Sequence, residues 1–195
     1  MTHPVQFLVE PPASIPRAQV VIRVVLLVAV MTLALSSIYW CLYLAAPALV
    51  ALAVTKAGGA RYLTEDGPPL VRVLRWLAAA HAYLWFLSNE LPTSGASRVD
   101  LRIATGGAPT VGSALARLLT SLPAVLLVAV LYVGAGLVWL AAVVTLLVTE
   151  RMPRVFADFL ALTLRVELRL VAYHLSLVER YPSLEAPPVP EKAQP

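Results

Sequence analysis

Charge is scarce in this chain and cysteine almost missing. Only 13% of its residues are Asp, Glu, Lys or Arg, about half of what soluble domains carry. The single cysteine, Cys41, has no partner for an internal disulfide and belongs to no CxxC or Cys/His cluster, which excludes a disulfide scaffold and the usual zinc spacings. In the middle of an apolar run it reads as a small hydrophobe. HExxH, GxxxxGK[ST] and GxSxG are all missing. Glu65, Asp66, Asp158 and Glu167 are too scattered to form a carboxylate pair, and His3 and His81 stand alone. Gly58-Gly59 and Gly106-Gly107 are isolated loop pairs, more typical of turns than of phosphate cradles. We therefore expect no enzyme, no cofactor and no metal. A net charge of +4 on so few charged groups fits arginines meeting anionic phospholipids better than a nucleic-acid groove.

What fills the chain is apolar. Hydrophobic residues make up 59% and mean hydropathy is +0.80, the balance of an integral membrane protein. The opening "MTHPVQFLVEPPASIPR" is polar and proline-rich, and the apolar run after it is longer than the core of a signal peptide. That first run is expected to be retained.

Two uncharged stretches dominate, 24–55 and 118–149, bounded by Arg23 and Lys56 and by Arg117 and Glu150. Their flanking charges are displaced by the same interval. "VALAVTK" (50–56) answers "VTLLVTE" (144–150), and the alternating "VQFLV" (5–9) answers "VDLRI" (99–103). Downstream, Tyr83 aligns with Tyr173 and Pro92 with Pro182. One unit thus occurs twice, giving a first membrane repeat over 1–93, a second over 94–183, and a proline-rich disordered tail over 184–195. Each unit reads as a short extended segment, a long apolar helix or helical hairpin, and an amphipathic interfacial helix. The fold class is all-α.

A helix of 32 residues would be about 48 Å long, too long for a hydrocarbon core of about 30 Å, and two full crossings need about 40 residues. Basic residues flank both ends of each run, so the positive-inside rule favours both ends in the cytoplasm. Hairpins follow, with turns at "SSIYW" and Pro47 in the first copy and at Gly134 to Gly136 in the second. A single long span per repeat is the alternative, in which those glycines are packing contacts.

The segments after the runs carry the remaining charge. On a helical projection Arg154, Asp158, Arg169, Ser176, Glu179 and Arg180 fall within about 60° of Arg165. Arg72, Arg75, Asn89 and Glu90 make the matching stripe in the first copy, with Trp76, Tyr83 and Trp85 as interfacial anchors. Both helices are expected at the membrane surface, with Arg72, Arg75, Arg154, Arg165, Arg169, Trp76 and Trp85 touching lipid headgroups or a partner. Glu167 and His174 lie on the opposite side, near Thr163. They form a candidate polar site or proton relay, or else a structural polar contact at an inter-repeat or intersubunit surface, the reading we favour.

The stretch "ERMPRVFADFLALTLRVELRLVAYHLSLVERYP" (150–182) resembles the C-terminal signature of the family DUF4389, through Arg151, Pro153, Arg154, Phe156, Asp158, Phe159, Leu164, Arg165, Arg169, Ala172, Tyr173, Tyr181 and Pro182. The first copy keeps "RYL", "VLRW" (73–76), "AYLW" (82–85) and Pro92. Met152 and Val166 depart from the pattern, where a turn tyrosine and a tryptophan stand in the family. The resemblance implies two tandem copies and a bacterial membrane protein, and it supplies no activity. The expected role is a non-catalytic accessory or scaffolding subunit in the bacterial cytoplasmic membrane, bound to other membrane subunits or to a second copy of itself. A lipid-binding or membrane-shaping protein comes second and a small transporter or channel component third.

Overall fold

The computed structural model describes residues 3–34, 37–92 and 99–184, and the side chains of these outside 31–42. In chain order they form β1 (Val5–Val9), α1 (Arg17–Ala34), α2 (Ser37–Ala57), a helical turn α3 (Gly59–Arg61), a π-turn (Tyr62–Asp66), α4 (Gly67–Leu84), β2 (Val99–Ile103), α5 (Val111–Thr120), α6 (Leu122–Thr149) and α7 (Arg154–His174). Most of the linker between the expected units and nearly all of the expected tail lie outside the described residues.

The class is mainly helical rather than all-α. The alternation of Val5, Phe7 and Val9 and of Val99, Leu101 and Ile103 gives each segment one apolar side. The two segments pair as an antiparallel two-stranded sheet with Val5 opposite Ile103, Phe7 opposite Leu101 and Val9 opposite Val99. Such a pair is marginal alone. Its inner side is held by the main core, in which Val5, Phe7 and Leu101 meet Leu74, Ala78 and Ala82 of α4 and Leu164, Leu168 and Ala172 of α7. Each large apolar side chain buried there contributes about 1.5–3 kcal/mol.

α7 is the central helix of the molecule. Leu160, Leu164 and Leu168 lie in the main core, and on another side Val166 and Leu170 pack on Ala124 and Val128 of α6. Arg169 is 1% exposed. The expectation that this helix lies at a membrane surface with its whole stripe outward is corrected: the sheet covers the stripe at Arg165 and Arg169, α6 covers the apolar side beyond it, and Arg154 and Asp158 stay exposed. α4 is less enclosed, and Arg72, Arg75 and Trp76 remain exposed.

The second apolar run is not a hairpin. α6 continues for 28 residues, about 42 Å, and Gly134 and Gly136 lie inside it. A Cβ on Gly134 would stand 3.0 Å from the Phe159 ring, whereas nothing lies within 4 Å of one on Gly136. Gly134 is thus a packing contact between α6 and α7. In the first run two helices occur, α1 and α2. Pro47 is inside α2, so it makes no turn, and Ser36 of the "SSIYW" candidate lies outside the described residues. After α2 the chain turns by 116° between Tyr43–Ala57 and Gly59–Leu84. Gly59 allows this turn by close approach, since a Cβ there would stand 2.2 Å from the Pro109 carbonyl oxygen.

Among the described residues one helix, α6, is long and apolar enough to cross a membrane, or two spans if the bent pair Tyr43–Ala57 and Gly59–Leu84 counts as one, and only 17% of the most apolar window of α6 is buried. Gly134→Val should destabilise the protein by about 1–3 kcal/mol through overpacking against Phe159. Gly136→Ala should leave stability unchanged or slightly raised. Thermal unfolding of the detergent-solubilised protein checks both.

Candidate functional site

The sharpest chemistry lies where α4 and α7 end. Each helix stops without glycine, at Phe86 (φ 63) and at Ser176 (φ 55), both in the left-handed region, which costs about 1–2 kcal/mol for a residue with a Cβ. The closing bonds match. Leu87 N–H donates to Ala82 O at 2.8 Å and Leu177 N–H to Ala172 O at 3.0 Å, leaving other terminal carbonyls to be satisfied.

Two buried arginines satisfy them. Arg23 Nη1 donates to Tyr83 O at 3.0 Å and to Ser88 O at 2.9 Å. Its Nη2 donates to Gln19 Oε1 and Asn89 Oδ1, both at 3.0 Å, and its guanidinium lies 4.0 Å from the Tyr83 ring centroid. Arg117 Nη1 donates to Tyr173 O and, at 2.8 Å, to Val178 O, with its guanidinium 4.5 Å from the Tyr173 ring centroid. A cation at a helix C-terminus is favoured by the macrodipole and by the negative face of the ring. Tyr62 completes the second cage by donating to Leu175 O at 2.5 Å. Burial first, and Asp66 second, push its hydroxyl up to about 12. Sequence reading took Arg23 and Arg117 as charges flanking apolar runs. The signal available was their similar spacing from Tyr83 and Tyr173, 60 and 56 residues.

The arginines of the stripes have a different task. Ala104 N–H donates to Pro4 O at 3.0 Å, so alternation puts the ladder bonds on residues 6 and 102 and on 8 and 100. Residues 5, 7 and 101 then turn their backbone groups outward. Arg75 Nε donates to Leu101 O at 3.0 Å, Arg165 Nε to Phe7 O at 3.4 Å and Arg169 Nε to Val5 O at 3.4 Å. Val5 N–H donates to His3 Nδ1 at 3.1 Å. These side chains close both sheet edges, which would otherwise template pairing with another strand. Arg169, which also donates to Ser183 O at 2.6 Å, is therefore a structural group and not a headgroup contact. Arg165 is half-buried beneath β1. Arg154 is exposed at the start of α7.

The two tryptophans separate. Trp76 is 52% exposed, but Trp85 is 6% exposed, edge-on to Tyr132 with centroids 5.4 Å apart. Trp85 is a core residue, and its assignment as an interfacial anchor is corrected. Beside Trp76, an open cleft of about 570 Å³ runs between α4 and the end of β2, lined by Pro68, Val71, Arg72, Arg75, Ile103 and Thr105.

Glu167 and His174 do share a buried side of α7, yet they have separate surroundings. His174 Nε2 lies 2.7 Å from Tyr43 O. A carbonyl only accepts, so Nε2 carries the proton and Nδ1 accepts from Ser121 Oγ at 3.3 Å. Ser121 in turn lies 2.7 Å from the Tyr43 hydroxyl, and the Tyr43 and His174 rings stack at 4.3 Å. Burial, then the charge of Arg117, hold the imidazole below its ordinary pKa. Glu167 has one carboxylate oxygen without a hydrogen-bond partner among the described residues. No group of three or more His, Cys, Asp or Glu able to hold a metal occurs among them.

Comparison with known proteins adds one assignment. Residues 112–184 match the family model DUF4389, a domain of unknown function. The match takes in nearly all of α5, all of α6 and α7, and both Arg117 and His174. The resemblance read over the whole chain is thus matched over its second part. No curated protein and no solved structure matches the chain.

Removing Arg117 should orphan two carbonyls together. Arg117→Leu is expected to cost about 3 kcal/mol, and Arg117→Lys should recover only part, because a point charge cannot bridge both oxygens while stacking on Tyr173. Denaturation in detergent measures this. A pH series checks His174. Its folded pKa lies below the unfolded value of about 6.5, so the unfolded chain binds more protons on acidification. Stability should fall as pH drops below about 6.5. His3, also lowered by burial and by Arg169, acts in the same direction, so His174→Gln should reduce the dependence and the additional change His3→Gln should reduce it further.

Proposed function

We propose that this chain is an integral protein of the bacterial cytoplasmic membrane, built from two copies of one unit, that serves as a non-catalytic scaffolding subunit of a membrane assembly. The membrane reading is carried by the outward side of α6. Leu126, Val130, Val133, Leu137, Leu140, Val144 and Val148 are 58–71% exposed on a helix without a charge. Exposed apolar area of this extent needs lipid or another protein against it. Val21, Val25, Leu49 and Leu52 extend the same character to α1 and α2. The other side of the molecule differs: Gln6, Asp100 and Arg102 alternate with the buried strand residues, and Arg102 pairs with Asp100 at 2.8 Å. A sheet with ladder edges is tolerated only outside the hydrocarbon. The 116° turn after α2 fits an α4 lying along the surface and an α2 descending from it.

Matched contacts support the duplication. Phe7 and Leu101 face each other across the strands and are equivalent in the repeat, so a pseudo-two-fold axis passes between them. Arg75 on Leu101 matches Arg165 on Phe7, and the Arg23 cage matches that of Arg117. Val71, Leu74, Ala78 and Ala82 have the buried counterparts Ala161, Leu164, Leu168 and Ala172.

The scaffolding role is supported by the use of the charges. Arg23, Arg75, Arg117, Arg165 and Arg169 all bond to backbone carbonyls, so the polar groups of the core maintain architecture. Function then rests on outer surfaces, toward other membrane subunits or a second copy. Membranes containing the protein should retain it through an alkaline wash and release it to detergent, with a stoichiometric companion detected by native mass spectrometry. Release by alkali would refute the membrane assignment. A monodisperse monomer in several mild detergents would refute the scaffold. Lipid binding is the second reading, favoured by the cleft beside Trp76.

A further inference from the structure

We propose that the cleft between α4 and β2 is a binding site for the phosphate of an anionic phospholipid, with the acyl chains running over Val73, Trp76 and Leu77. The inference rests on the membrane reading above and adds the ligand class and the residues.

The lining supplies two guanidinium groups, Arg72 and Arg75, and the hydroxyl of Thr105, over an apolar floor of Pro68, Val71 and Ile103. No carboxylate lines it. Arg72 makes no hydrogen bond or ion pair to any described residue, so its charge is uncompensated. Arg75 is held in place by its Nε bond to Leu101 O at 3.0 Å, which orients the remainder of a planar donor fork. Two guanidinium groups at one opening match a phosphodiester, which accepts through two oxygens. A volume of about 570 Å³ lies within the ordinary range for small-molecule sites.

The neighbouring surface argues for an amphiphile rather than a free ion. On α4, Arg72 and Trp76 are one turn apart, and Val73 and Leu77 follow around the same exposed side. Val73 is 54%, Trp76 52% and Leu77 38% exposed. An acyl chain placed there would bury these side chains while the headgroup stays with the arginines, the amphipathic division of an interface.

The second unit serves as an internal control. Ninety positions on from Pro68, Arg72 and Trp76 stand Asp158, Leu162 and Val166. An acid there opposes Arg165, whose charge it favours, and Val166 is covered by α6. The equivalent place therefore lacks the free cation, carries an anion and has no open apolar side. The proposed site thus has no counterpart at the aligned place of the second unit.

The test uses the full chain purified in a neutral detergent and titrated with phosphatidylglycerol, phosphatidylcholine or inorganic phosphate, read by thermal shift and by native mass spectrometry of retained lipid. Phosphatidylglycerol should stabilise the protein and be retained preferentially. Arg72→Glu should weaken that binding by roughly tenfold or more, Arg72→Lys should retain part of it, and Arg154→Glu, the same charge change at the exposed start of α7, should leave it unaltered. Equal responses to the two lipids, or an unchanged response in Arg72→Glu, would overturn the proposal. So would a shift from inorganic phosphate matching that from phosphatidylglycerol, since this would make the cleft an ion site. Arg72→Glu is expected to fold, because Arg72 has no hydrogen-bond or ion-pair partner among the described residues, and its unchanged melting temperature without lipid would verify that. Extraction by alkali would refute the membrane reading, whereas a membrane-held protein whose Arg72→Glu variant binds as the wild type refutes the lipid site alone.

Discussion

Everything in this molecule depends on how two helix ends are buried. A helix terminus leaves carbonyls without partners, and each one hidden from water without a donor costs about 1–3 kcal/mol. α4 and α7 both end inside the protein, after left-handed residues that carry side chains. Arg23 and Arg117 reach these ends from helices far away in sequence and donate to two carbonyls each. The desolvation of each guanidinium is offset by several acceptors and by an aromatic ring at 4.0 or 4.5 Å. Once these cages close, α1 is fixed to α4 and α5 to α7, and the remaining packing has a defined frame.

The sheet solves the same problem at its edges. A two-stranded sheet consists only of edges, and its outward carbonyls would be hazards in an apolar protein. Arg75, Arg165 and Arg169 take Leu101, Phe7 and Val5. The cross-connection matters: α4 of the first half closes β2 of the second, and α7 of the second half closes β1 of the first. Neither half is complete without the other. The pairing of Phe7 with Leu101 makes the strands the point at which the halves exchange parts.

Much of this was legible in the sequence, and the failures have a common cause. Alternation marked both strands, the apolar runs marked the long helices, and constant displacement is the ground on which the duplication is proposed. Periodicity identified Arg165 and Arg169 as sharing one side of α7, but it could not say what covers that side. Their cover, β1, is more than 150 residues away in the chain. Trp76 and Trp85 were grouped by residue type, although nine positions on a helix differ by about 180°, and one proves exposed and the other buried. Gly134 could serve as a turn or as a contact, and only the position of Phe159 decides. The cleft at Arg72 was legible as residues and not as a shape.

On the reading proposed above, that the chain holds two copies of one unit, the copies differ in ways that would let them do different work. In the second half the chain breaks between Thr120 and Leu122, with Pro123 just inside α6, where a missing N–H is tolerated. Beyond the break Ala124 and Val128 of α6 pack on Val166 and Leu170. The equivalent place in the first half, near Leu26 to Ala29, has no proline and lies within an uninterrupted α1. α1 therefore keeps its direction past the Arg23 cage, and Val30, the counterpart of Ala124, remains 46% exposed. On α4, Val73, Trp76 and Leu77 stay exposed, whereas Thr163, Val166 and Glu167 at the aligned places of α7 are buried. On that reading, the break before Pro123 accompanies a covered side of α7, whereas the unbroken α1 accompanies an α4 whose Val73, Trp76 and Leu77 stay exposed beside two arginines.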